Sequence, residues 1–254
     1  MNKKLSLLKI FTGIIFLTAC TSPTPVPTQT ELPSPSTPTQ APPPTATATM
    51  TFTPAPTLTS TPVPQFFTEE FNTDLGAWTS FQTGGAEAPT VKLENDFLRV
   101  DFPLPNTWFY AIHNAHEYSS IFVSAKFSAT PTGSLGVICD YSETNGWYEF
   151  NLASDGTYSV LFGQLLAQGV AQYLPIANAT TEYLQPGALN DEIGLTCQDN
   201  TLFLFINGKF FRKLDVTHYG LTQGKIGITA SSFDEVPMIA TFDWVKVSEP
   251  QPQP

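Results

Sequence analysis

The chain has 254 residues, a formal net charge of −11 and three cysteines. Three of its eleven basic residues, Lys3, Lys4 and Lys9, lie within the first ten positions, so the remainder is more acidic still. That balance argues against nucleic acid as a partner and against electrostatic docking on anionic lipid, since both need a basic face.

In chain order, the basic start is followed by an apolar run over residues 10–16 and then by Leu17-Thr18-Ala19-Cys20. These are the parts of a secretory signal peptide, and the run is too short for a membrane span of ~20 apolar residues. Cysteine after a Leu-x-Ala tripeptide resembles the lipobox of bacterial lipoproteins. The resemblance implies a signal peptide over residues 1–19, diacylglycerol on the Cys20 thiol, and a protein anchored outside the cytoplasm, at the cell surface or on a periplasmic face. With an acidic body, the lipid is the expected membrane contact. One acyl chain binds only marginally, so more than one matters.

Residues 20–65 carry that anchor and a linker. The linker holds more than half of the chain's 23 prolines, is otherwise rich in Thr, Ser and Ala, and has Glu31 as its one charged residue. Such a composition cannot bury enough apolar surface to offset its ordering entropy. It predicts a disordered, extended Pro/Thr-rich stalk.

Residues 66–249 are long enough for one full core, and residues 250–254 read as a disordered tail. Apolar residues here rarely recur with a helical period. Short alternating runs bounded by Gly, Asn and Asp recur instead, which predicts an all-β domain of about a dozen strands. Strands are expected at residues 67–71, 97–102 and 121–127. Trp108, Phe109 and Tyr110 follow Pro103-Leu104-Pro105-Asn106 and read as an aromatic loop that could line a sugar site.

Asn145-Gly146 is a two-residue hairpin signal. Folding there pairs Tyr141 with Phe150 and Cys139 with Leu152. Val137, Cys139, Tyr141, Tyr148, Phe150 and Leu152 then share an apolar face, and Asp140, Trp147, Glu149 and Asn151 share the polar one. Ser154-Asp155-Gly156 suits a three-residue turn that returns Tyr158, Val160 and Phe162 to the apolar face. Asp199-Asn200 pairs Cys197 with Leu202 and Ile193 with Ile206, and Asn207-Gly208 turns the chain again. Residues 224–228 and 240–245 close the series.

With Cys20 assigned to lipid, Cys139 and Cys197 remain. In an exported chain an even remainder points to a disulfide, buried free thiols being the alternative. His113 and His116 lack a third metal ligand and read as surface residues.

Several of these segments resemble the concanavalin A-like lectin/glucanase superfamily. They are Phe67-x-Glu69-Glu70-Phe71 with Gly76-x-Trp78; Asn95-Asp96-Phe97-Leu98-Arg99-Val100, where Phe97 replaces a small residue; Gly136 to Phe150; Leu202-Phe203-Leu204-Phe205-Ile206-Asn207-Gly208; and Phe242-Asp243-Trp244-Val245. The resemblance implies a two-sheet antiparallel jelly-roll sandwich and a glycan or cell-wall polysaccharide as partner. Glucanases of this superfamily carry Glu-x-Asp-x-x-Glu on one strand. Here Glu94-x-Asp96 comes nearest, but Arg99 stands where the last Glu belongs. No catalytic residue is therefore assigned.

The candidate ligand-binding residues are Asp140, Trp147, Glu149 and Asn151 on the hairpin, with Trp108 and Tyr110. Carboxylates and an amide suit sugar hydroxyls or a calcium ion, and an aromatic ring suits a sugar face. The expected function is noncatalytic glycan binding or adhesion. The alternatives are a glycan-active hydrolase and a structural envelope protein without a small ligand.

Overall fold

A computed structural model of the protein describes residues 63–167 and 169–250. The signal segment, Cys20, nearly all of the linker and residues 251–254 lie outside the described residues. Fifteen strands are found among the described residues. They are β1 (Phe67–Glu69), β2 (Trp78–Gly84), β3 (Thr90–Glu94), β4 (Phe97–Phe102), β5 (Thr107–His113), β6 (Ser120–Thr130), β7 (Gly133–Ser142), β8 (Gly146–Ala153), β9 (Thr157–Ala167), β10 (Val170–Thr180), β11 (Leu189–Gln198), β12 (Thr201–Ile206), β13 (Lys209–Asp215), β14 (Lys225–Ser232) and β15 (Met238–Ser248). They form two antiparallel sheets packed as a sandwich. One sheet has the order β13-β12-β11-β6-β15-β4-β3, with β1 also on β15; the other is β10-β9-β8-β7-β14-β5-β2.

Turn chemistry sets much of this register. Asp199 and Asn200 both have positive φ (49° and 58°), as do Asn207 and Gly208 (50° and 71°), so each pair makes a tight two-residue turn. The expected partners Cys197–Leu202 and Ile193–Ile206 are the observed ones, with Leu195–Leu204 between them. Gly156 is also left-handed, and Tyr158, Val160 and Phe162 face Leu152, Phe150 and Tyr148. Phe127, Phe150, Phe242 and Tyr148 fill the space between the sheets. A disulfide between Cys139 on β7 and Cys197 on β11 ties one sheet to the other.

The β7–β8 hairpin departs from the expected register. Val137, not Tyr141, faces Phe150, and Cys139 faces Tyr148 rather than Leu152. The turn is longer than two residues: Ser142 pairs with Gly146, and the Ser142 hydroxyl accepts from the Asn145 amide. A bulge then follows between Cys139 and Ser142, with Asp140 at φ 52°. The extra residue reverses the alternation. Tyr141 thus joins Tyr110, Ile138 and Trp147 on the outer face instead of the core.

Two other expectations are corrected. Trp108, Phe109 and Tyr110 form part of strand β5, not a loop, because pairing to both β2 and β14 holds them extended. His113 is not a surface residue. It is 2% exposed, packed between Phe67 and Trp78, and its Nδ1 has no hydrogen-bond partner among the described residues. Burial, with His116 nearby, lowers its pKa to about 4.

Candidate functional site: the concave face of the seven-stranded sheet

The outer face of the seven-stranded sheet is curled. Its two edge strands, β2 and β10, approach each other: Thr83 Oγ1 and Tyr173 Oη lie 2.7 Å apart. Small residues line the floor, including Gly136 on β7 and Gly227, Thr229 and Ser231 on β14. Larger rings arch over them from both sides. Tyr110 of β5 and Trp147 of β8 meet edge to face at 5.5 Å, although two strands separate them. Gly163 of β9 makes room for this, since a methyl there would overlap the Trp147 indole.

Five of the six expected ligand-binding residues converge on this face. Trp147, Glu149 and Asn151 alternate along β8, and Trp108 and Tyr110 stand on β5. Trp147 is fully buried, however, and Glu149 is 1% exposed. The Glu149 carboxylate accepts from Trp147 Nε1 and from Asn151 Nδ2, both at 2.8 Å. It also faces the Tyr110 hydroxyl, which lies 2.7 Å from that of Tyr173. Burial raises the Glu149 pKa, and these donors oppose the rise. Burial likewise raises Tyr110 well above the phenol range and takes Tyr173 to about 12. The result is a largely buried polar cluster of Glu149, Tyr110, Tyr173 and Thr83, in which the Tyr173–Thr83 contact clasps the two edges of the sheet.

Asp140 is the sixth residue, and the bulge carries it to the opposite side. It lines a recess at the end of the sandwich with Tyr148, Cys197 and Asp199. Asp140, Glu149 and Asn151 therefore do not form one calcium or sugar site. Among the described residues no three His, Cys, Asp or Glu side chains form a metal-binding group.

The concave face opens into a groove at its mouth, where β2, β5 and β7 meet the β9–β10 hairpin. This groove has a volume of about 400 Å³. Its apolar wall includes Phe81, Ile112, Tyr141 and Leu165, and its polar side includes Thr79, Asn114, Glu143 and Lys225. Phe81 is half-buried and stacks on Tyr110 with centroids 4.7 Å apart. Lys225 Nζ donates to Asn114 Oδ1 at 3.0 Å, and Asn114 Nδ2 donates to Thr79 Oγ1 at 2.6 Å. That fixed amide and ammonium ledge beside an aromatic platform is a mixed apolar and polar ligand surface.

None of the residues lining this mouth is among the expected ligand-binding residues, and Tyr141 is expected on the core face. The available signal was weak. Phe81 and Tyr173 lie on edge strands, and β10 contains Pro175, which removes a ladder donor and is tolerated only at an edge or bulge.

Structural comparison defines the fold. A carbohydrate-binding module, CBM66 from Bacillus subtilis, aligns with 68% of this chain and 96% of its own at 10% identity and a TM-score of 0.51. A native glycosidic hydrolase aligns over 75% of this chain and 100% of its own at 12% identity, TM-score 0.52. The architecture is a concanavalin A-like jelly roll. A Bacillus subtilis protein of unknown function with a galectin-like fold shares it, at 12% identity and a TM-score of 0.50 over 72% of this chain and 94% of its own. No protein-family model matches the chain, and no curated protein is similar to it in sequence.

Proposed function

We propose that this jelly roll binds glycan at the mouth of its concave face, without catalysis, and is held on a bacterial membrane through lipid on Cys20. The observation that carries the binding role is the half-buried Phe81 platform beside the Thr79–Asn114–Lys225 ledge. A sugar offers a C–H face to the ring and hydroxyls to the ledge. The similar folds of a carbohydrate-binding module and a glycosidic hydrolase support a glycan ligand.

The noncatalytic part of the reading rests on Glu149. Retaining and inverting glycosidases use two carboxyl groups flanking the scissile bond, about 5–10 Å apart. Glu149 is enclosed by its own donors, and Glu143, the carboxylate lining the mouth, is exposed in the β7–β8 turn. The Glu-x-Asp-x-x-Glu run is missing from the sequence. Anchoring rests on the Leu17-Thr18-Ala19-Cys20 motif and on the acidic body, which leaves acyl chains as the membrane contact.

A glycan array probed with the full chain tests the binding role; no hit at high protein concentration refutes it. Metabolic labelling with an alkyne fatty acid tests the anchor. Label should appear on the wild-type chain and vanish in Cys20→Ser; equal labelling of both contradicts it.

A further inference from the structure

The recess that takes Asp140 has features of a second binding site. It lies at one end of the sandwich, between the sheets, and encloses about 290 Å³. That is the small end of the range for ligand pockets, roughly 300–1,000 Å³. Asp140 is 7% exposed, lines the recess, and burial raises its pKa to about 7. A largely desolvated carboxylate at the wall of an open space is costly to leave ionised without hydrogen-bond donors.

The surroundings hold Asp140 in place. The bulge sets its backbone at φ 52°, and Gly224 packs directly on the Asp140–Tyr141 backbone, where any side chain would collide. Gly224 in turn exchanges two backbone hydrogen bonds with Tyr118, at 2.8 and 3.0 Å. The disulfide lies at the adjacent position, through Cys139. The far wall is the tight Asp199-Asn200 turn, whose Asn200 carbonyl accepts from the Val216 amide at 2.9 Å. A rigid frame therefore holds a desolvated acceptor at the wall of an open space.

The lining selects the ligand chemistry. It contains no Lys, Arg or His, so an anion has no counter-charge. A calcium-type cation takes six to eight oxygens, usually with several carboxylates among them; the recess offers Asp140 and Asp199, and among the described residues no three His, Cys, Asp or Glu side chains form a metal-binding group. The other polar groups are hydroxyls and amides, among them Ser120, Asn200 and Thr222, set beside an apolar wall that includes Leu221. A desolvated acceptor, neutral polar groups and an apolar wall match a small polyol. We propose that the recess binds the terminal unit of a neutral glycan, or a free hexose or hexitol, with Asp140 accepting hydrogen bonds from its hydroxyls. This proposal does not depend on the groove at Phe81, because Asp140 and Tyr141 project to opposite sides of the sheet.

The test is amide NMR of the full chain titrated separately with glucose, galactose, mannose, fructose, glucitol and calcium chloride. At least one polyol should give saturable shifts at Ser120, Asn200 and Thr222. Above pH 8, where the Asp140 carboxyl is ionised, Asp140→Asn should weaken that binding about tenfold or more, the range for a hydrogen bond to a charged group. Thr222→Val alters an exposed rim residue, leaves the bulge intact and should weaken it too. Shifts confined to Phe81 and Asn114 would support the groove and overturn the recess. Saturable calcium shifts without polyol shifts would overturn it in favour of a cation, and no saturable shift at all would overturn it outright.

Discussion

Asp140→Asn allows a stability prediction whose size follows from burial. The carboxyl rises from an ordinary 3.8 to about 7 because it is desolvated. A raised acid favours its protonated form when folded, so folding is penalised wherever the unfolded chain would be ionised. The penalty approaches about 4 kcal/mol near pH 8 and falls to about 2 kcal/mol near pH 5. Stability from this group therefore increases as pH falls through 7 toward 3.8. Asparagine removes the charge but keeps a polar amide at the buried position, which costs roughly 1–3 kcal/mol at every pH. The absolute change is thus a small difference, whereas the pH dependence is clean. Urea unfolding of wild type and variant near pH 8 and near pH 5 should show the variant gaining about 2–3 kcal/mol at the higher pH relative to the lower. The other titrating groups, His113 and Glu149 included, are common to both proteins and cancel in the comparison. A difference between the two proteins that is the same at both pH values would refute the burial argument.

Three further outcomes are expected. His113 has the opposite sign: its pKa falls from 6.5 to about 4, so its contribution is present above 6.5 and lost as pH drops toward 4. His113→Phe keeps a ring between Phe67 and Trp78 and should recover about 2 kcal/mol near pH 5, measured by the same unfolding; no recovery contradicts it. Replacing both Cys139 and Cys197 by Ala opens a loop with a sequence separation of 58, which in the chain-entropy model costs about 4 kcal/mol. The melting temperature should fall by about 10 °C, and a fall of only one or two degrees would contradict it. Gly163→Ala forces the Trp147 indole aside, so it should cost about 1–3 kcal/mol and shift the Trp147 Nε1–H resonance; an unmoved resonance means the ring does not depend on that glycine.

The legibility of this fold follows the strength of its turns. Where two consecutive residues favour positive φ, as at Asp199-Asn200, the register is legible residue by residue, and at Asn207-Gly208 the turn itself is legible although a bulge at Leu204/Phe205 interrupts the ladder beyond it. At Asn145-Gly146 the same signal misled. The Ser142 hydroxyl caps a longer turn, and the bulge at Asp140 absorbs the mismatch. A bulge depends on tertiary neighbours, here Gly224 against the Asp140 backbone, and local sequence does not announce it. That residue decides the site, because it separates Asp140 from Glu149. The alternation of Trp147, Glu149 and Asn151 was legible, but their burial was not. Burial comes from the curl that brings β2 and β10 together, and neither edge strand has a clean apolar period. The missing glucanase motif is a plain sequence fact, whereas the Phe81 mouth exists only once the sheet has closed.

The most direct measurement is the affinity of a glycan from the array for the full chain and for Phe81→Ala, by isothermal titration. Phe81 is half-buried at the mouth, so removing its ring leaves the Glu149–Tyr110–Tyr173 cluster in place while deleting the platform. The glycan should bind the wild type and lose about tenfold or more in affinity to the variant, with the glycan recovered unhydrolysed. Equal affinity for both proteins, or cleavage of the glycan by the wild type, would contradict a noncatalytic groove at this position.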